Sequence, residues 1–149
     1  MSLSVDVAVD GVRSPLSRAR VAELARSVLR AEGVRDGLLS IALVSNRRIA
    51  ALNRKHLRRS RPTDVIAFGF ARPGKSGPVV GDVYIAPEVA RASARENGVP
   101  VREELARLVI HGTLHVLGYD HPEDDTRTTS AMWRRQERLV GRLAGARRR

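Results

Sequence analysis

The chain has 149 residues, enough for one domain with a real core, and a hydrophobic content of 42% excludes wholesale disorder. Twenty-seven Lys and Arg against sixteen Asp and Glu leave a formal charge of +11, which points to a polyanionic partner, nucleic acid before an acidic membrane surface. Aromatics at 3% exclude a surface of many stacking platforms, and the absence of cysteine excludes disulfides and thiolate metal sites.

Lys55 and Lys75 are the only lysines, a skew that a GC-rich genome produces by itself, but such a skew does not account for the excess of positive charge. The N-terminus lacks a basic segment followed by an apolar run, and no apolar stretch is long enough to span a bilayer. A soluble, cytoplasmic protein is expected.

Leu3, Val5, Val7 and Val9 alternate with polar or small residues, the period of a half-buried strand. Ser14 as N-cap and Pro15 as first helical residue predict a helix carrying Val21, Leu24, Ala25, Val28 and Leu29, stopped by Gly33. Leu39, Ile41 and Leu43 mark a second strand. After Ser45 a short helix is expected, with Ile49, Leu52 and His56 on one face. Asp64 to Phe70 reads as a strand, Arg72 to Pro78 as a loop, and Val79 to Ile85 as a fourth strand. Pro87-Glu88 opens a helix that Gly98 ends. Pro100, with Glu103 and Glu104 against the positive helix end, opens another that runs to Gly118. A last helix is predicted over about 126–143, with Met132, Trp133, Leu139, Val140 and Leu143 as its apolar face. The order βαβαββααα makes an α+β fold, a small mixed four-stranded sheet with about five helices. The whole chain, 1–149, reads as a single domain ending in a basic tail at about 144–149, whose Arg147, Arg148 and Arg149 read as a frayed, solvated end.

Three of the four histidines fall within eleven residues, His111-Gly-Thr-Leu-His115-Val-Leu-Gly118-Tyr-Asp-His121. Residues four apart lie one above the other on a helix, so His111 and His115 can face one ion. Gly118 permits the left-handed turn that ends the helix and returns His121 to the same ion. Three neutral imidazoles suit one Zn²⁺ per chain and leave a fourth position for water, the arrangement of a catalytic site. A closed structural site would need a carboxylate such as Asp120, Glu123 or Asp124. The spacing is also that of the zinc-protease motif H-E-x-x-H-x-x-G-x-x-H, but the position of its catalytic glutamate is held by Gly112, which argues against peptide hydrolysis.

Three segments carry a resemblance to a family. Leu52-Asn53 with Pro62-Thr63-Asp64-Val65-Ile66-Ala67-Phe68 is similar to an L-N…P-T-D-V-L-S-F stretch, and Gly81-Asp82-Val83-Tyr84-Ile85-Ala86 to a G-D-I-x-I-S strand. His111 to His121 matches H-G-x-L-H-L-x-G-Y-D-H almost residue for residue. By these motifs, over about residues 40–135, the chain resembles the YbeY endoribonucleases. The resemblance implies a zinc-dependent, single-strand-directed endoribonuclease with His111, His115 and His121 as ligands. It further implies action on RNA in small-subunit ribosomal RNA maturation and ribosome quality control, with ribosomal particles or a ribosome-associated protein as partner. The family's arginine five residues after the first Leu is replaced here by Leu57, so Arg58 or Arg59 becomes the expected phosphate contact.

The residues agree with that expectation. Guanidinium groups fork onto phosphate oxygens, and Arg54, Lys55, Arg58, Arg59 and Arg61 form the densest basic cluster. Asp120 has two readings, orienting a ligand histidine or capping the turn. Gly69 to Ser76 satisfies the phosphate-loop pattern, but Gly77-Pro78 and a strand follow where that motif needs a helix, so a hairpin loop is expected. Two rivals stand beside the nuclease: a non-catalytic RNA-binding ribosome-assembly factor with structural zinc, and a zinc metalloprotease. Cleavage site, oligomeric state and the metal used in the cell are not legible in the residues.

Overall fold

The computed structural model describes residues 2–57, 65–70, 72, 74, 77–119 and 130–145, with the side chains of His56 and Leu57 outside that set. The elements are β1 (Leu3–Val9), α1 (Arg18–Ala31), β2 (Gly37–Leu43), α2 (Asn46–Leu57), β3 (Val65–Gly69), β4 (Val79–Ile85), α3 (Pro87–Asn97), α4 (Val101–Val116) and α5 (Ala131–Leu143). The fold is α+β, and among the described residues it has a four-stranded mixed sheet and five helices, in the expected element order.

The sheet runs β1-β2-β4-β3, the first two pairings parallel and the last antiparallel. Each parallel neighbour requires a crossover, and α1 provides the one between β1 and β2. Alternation along β2 and β4 sends Leu39, Ile41, Leu43, Val79, Val83 and Ile85 into one core, where they meet Val21, Leu24, Leu29, Leu105 and Val109 of α1 and α4. On the opposite face Ala42, Ile66, Phe68 and Tyr84 meet Ile49 and Leu52 of α2. A third cluster joins Ile110 and Leu114 of α4 to Met132, Leu139 and Val140 of α5. α4 is thereby clamped between sheet and α5, and almost every residue from Leu108 to Val116 is buried.

One helix start differs from expectation. Ser17 caps α1, accepting from the Arg20 N–H, and the helix begins at Arg18. The Ser14 hydroxyl is instead engaged with both backbone groups of Leu16 in a local turn. Two serines three residues apart compete for the cap, and the burial of Leu16 decides between them. α4 ends at Val116, two residues short of Gly118, which takes the predicted positive φ of 99°. Thr126 to Thr129 of the predicted last helix, and the 146–149 part of the basic tail, lie outside the described residues. Between β3 and β4 the chain makes a hairpin connection, in which Gly77 N–H bonds Gly74 O and Arg72 holds the Gly77 carbonyl. Among the described residues the next element is β4 and not the helix that a phosphate loop needs, while Lys75 and Ser76 of that pattern lie outside the described residues.

Candidate metal centre

α4 lies close on the sheet because two of its contact points are stripped of bulk. A Cβ added at Gly112 would stand 2.6 Å from Val83 Cγ1 and 3.1 Å from Val65 Cγ1. One turn on, Val116 sits against Gly69 and Gly81, where added Cβ atoms would meet its carbonyl oxygen at 2.5 Å and its Cγ1 at 2.5 Å. Residues 112 and 116 therefore form the face of α4 that meets the sheet. His111 and His115 precede each of them by one residue, about 100° around the helix, on a face turned away from that contact.

The two imidazoles are neighbours, with ring centroids 4.6 Å apart and planes at 82°. His111 is 8% exposed and its Nδ1 lies 2.6 Å from Oε1 of Gln136, itself 2% exposed, on α5. His115 is half-buried and its Nδ1 lies 2.9 Å from the Tyr119 carbonyl oxygen. A carbonyl oxygen only accepts, so Nδ1 of His115 carries the proton and Nε2 carries the ring lone pair. The amide oxygen of Gln136 imposes the same tautomer on His111. In both rings the lone pair thus falls on Nε2, with Nδ1–H held by an oxygen, a pattern suited to imidazoles that bind metals.

The supports of each ring reach well beyond it. Gln136 Nε2 donates to Glu137 Oε2 at 3.0 Å, and Arg107 donates to both Glu137 oxygens at 2.9 and 3.0 Å. Arg107 also bonds Glu103 and Glu104 at 3.3 and 3.1 Å. Burial alone would lower the Arg107 pKa, but the hydrogen bond and charge of Glu137, with Glu104 and Glu103, outweigh it and raise the value. On the His115 side the Tyr119 hydroxyl donates to Glu32, which Arg135 also holds at 2.7 Å. The hydrogen bond to Glu32, then burial, raises the Tyr119 pKa and keeps the phenol protonated.

One stability result follows from the first network. Arg107→Met keeps the aliphatic stem but leaves three carboxylates around an empty position. Loss of about 3 kcal/mol is expected, at the low end for breaking a buried ion cluster because Glu137 is one-third exposed. Urea unfolding at neutral pH reads it, and an unchanged midpoint would contradict the role given to Arg107.

Of the residues singled out in the sequence, the structure brings His111 and His115 together and shows Arg54 and Lys55 exposed on α2. His121, Asp120, Glu123, Asp124, Arg58, Arg59 and Arg61 lie outside the described residues, as does the Leu57 side chain. Among the described residues no group of three metal-ligating side chains is assembled, the third expected ligand being His121. Gln136, Tyr119 and Arg107 are additions. Gln136 had left a signal: it is a polar residue in helical phase with Met132, Leu139 and Val140.

Comparison with known proteins bears on the same residues. The family model described as Endoribonuclease YbeY matches residues 10–144. An Endoribonuclease YbeY of Anaeromyxobacter sp. (strain Fw109-5) is 39% identical over 143 residues, 93% of this chain and 74% of the relative. Another from Bacillus licheniformis is 33% identical over 153 residues, 95% and 96% of the two chains. A Thermotoga maritima protein solved in solution superposes with a TM-score of 0.65 at 29% identity, over 95% of this chain and 90% of that one. With its model matched across nearly the whole chain, through both histidines of α4, the chain belongs to the YbeY endoribonuclease family.

Proposed function

We propose that this chain is a zinc-dependent endoribonuclease that cuts single-stranded RNA in small-subunit ribosomal RNA maturation and ribosome quality control, in the cytoplasm. The observation that carries the metal assignment is the pair of Nδ1-anchored imidazoles at i and i+4 on a buried helix. His111 and His115 would hold the ion with His121 as third ligand, an all-nitrogen set that suits zinc in a chain without cysteine. Bound there, zinc supplies Lewis acidity and an acidified water at neutral pH.

The rest is done by the chain itself. The formal charge of +11 draws the RNA backbone, and exposed Arg54 and Lys55 offer donors to its phosphates. Arg58 or Arg59 is assigned the phosphate contact that the family arginine would make at Leu57. Carboxylate base catalysis in the manner of zinc proteases is not available at position 112, whose Cβ direction points into Val83 and Val65. Among the described residues no helix is long and apolar enough to cross a membrane.

The test is cleavage of a labelled single-stranded RNA by the purified chain, as isolated, after metal removal, and after zinc is returned. Cutting that disappears with the metal and returns with zinc is expected. Zinc uptake with RNA binding and no cutting would favour an assembly factor with structural zinc. No zinc uptake would overturn the metal assignment.

A further inference from the structure

His111 and His115 receive the same tautomer from different sources. For His115 the acceptor is a backbone carbonyl, which no substitution at Tyr119 removes. For His111 it is a side chain, Gln136, contributed by another helix. An amide side chain can turn either its oxygen or its NH2 toward a partner, and only the oxygen gives His111 the metal-binding tautomer. The choice is made by Glu137. Its carboxylate can only accept, so it takes the amide NH2 at 3.0 Å and turns Oε1 to the imidazole at 2.6 Å. Glu137 is held in turn by two bonds from Arg107, which Glu103 and Glu104 fix on α4.

We propose that Gln136 is a positioning residue, which acts through His111 to fix its Nδ1–H tautomer and ring direction for metal binding. The proposal rests on the metal assignment above and deepens it. A 2%-exposed glutamine among Met132, Leu139 and Val140 is costly in a core. If it only filled space, leucine would fill it better. Its placement is explained by the acceptor it gives a buried imidazole, and the three carboxylates and one guanidinium behind it are explained by the need to keep the amide from turning over. Removing such a support weakens metal binding without removing a ligand.

The test compares zinc affinity, by competition with a chromophoric chelator, in the full chain, Gln136→Leu and Gln136→Glu. Leucine removes the acceptor at similar volume, whereas glutamate keeps an oxygen toward Nδ1 and, with one proton on its other oxygen, still donates to Glu137. Zinc binding is expected to weaken about 10- to 100-fold in Gln136→Leu and to stay within about threefold of the parent in Gln136→Glu. Nitrogen-15 NMR of the imidazoles, before and after zinc is added, is expected to show His111 as Nδ1–H in the parent and as a tautomer mixture in Gln136→Leu. Parent-like zinc affinity in Gln136→Leu overturns the proposal. So does equal weakening in both variants, which would mean that packing and not the acceptor matters. If Gln136→Leu does not fold, the parent spectrum decides: an Nε2–H His111 overturns the proposal and an Nδ1–H His111 supports it. Failure of the metal assignment itself has a separate signature, a parent chain that takes up no zinc.

Discussion

His115→Ala is expected to abolish zinc uptake and to lower RNA cleavage by roughly a thousandfold or more, given that loss of a mere support to a ligand already costs 10- to 100-fold. The fold should survive. Alanine is the best helix former, His115 is only half-buried, and the group left behind is the Tyr119 carbonyl near the end of α4. The same change at His111 is less clean, because it strands the buried Gln136 amide oxygen at an added cost of about 1–3 kcal/mol. Metal analysis, RNA cleavage and thermal unfolding of the two variants separate the effects. Both should lose zinc, and His111→Ala should also melt earlier. Zinc retention by His115→Ala with cleavage near the parent's would sink the assignment of α4 as the metal-holding helix.

Gly112→Glu would restore the letter of the zinc-protease motif and is expected to destroy the fold instead of creating a protease. Even the first carbon of any side chain at 112 meets Val83 Cγ1 at 2.6 Å. Gly112→Ala gains about 1 kcal/mol of helix propensity and loses about 1–3 kcal/mol to overpacking, a net loss if the sheet cannot yield. Glutamate adds to this a carboxylate driven into apolar contact, several kcal/mol more. A domain with roughly 5–15 kcal/mol of total stability does not absorb both. Soluble yield and the cooperativity of urea unfolding measure the outcome. A well-folded Gly112→Glu chain that cuts peptides would mean that α4 presents position 112 to the metal and not to the sheet. In this fold the glycine is the contact that seats the helix against Val83 and Val65.

What could be read in the residues was whatever depends on local periodicity. Alternation in β1, β2 and β4, and the 3.6 repeat in α1, α4 and α5, placed those six elements in order, with breakers such as Pro87 and Gly98 bounding α3. They did so because one face of each element is buried and the other is not. The pairing of His111 with His115 was equally legible, since two residues four apart on a helix meet whatever surrounds them. Gly118 could be assigned to the turn because few other residues adopt a φ of 99°.

Tertiary structure decided everything that depends on which face meets which. Gly112 looked like a missing base, but whether 112 faces metal or sheet is set by how α4 is rolled against β3 and β4. Arg107 and Glu137, charged and on separate helices, become partners across thirty positions only because α4 and α5 pack together. Gln136 was visible as an oddity on an apolar face, but only docking α5 beside His111 turns an oddity into an acceptor. Ser14 with Pro15 fits a helix start, but in the fold Leu16 is buried and the cap is Ser17. The periodic elements and the two imidazoles on one helical face were legible in the residues, because each depends only on the repeat of a single strand or helix. Orientation of those imidazoles came only with the fold, because the ring nitrogen that keeps the proton is the one beside which packing brings an acceptor.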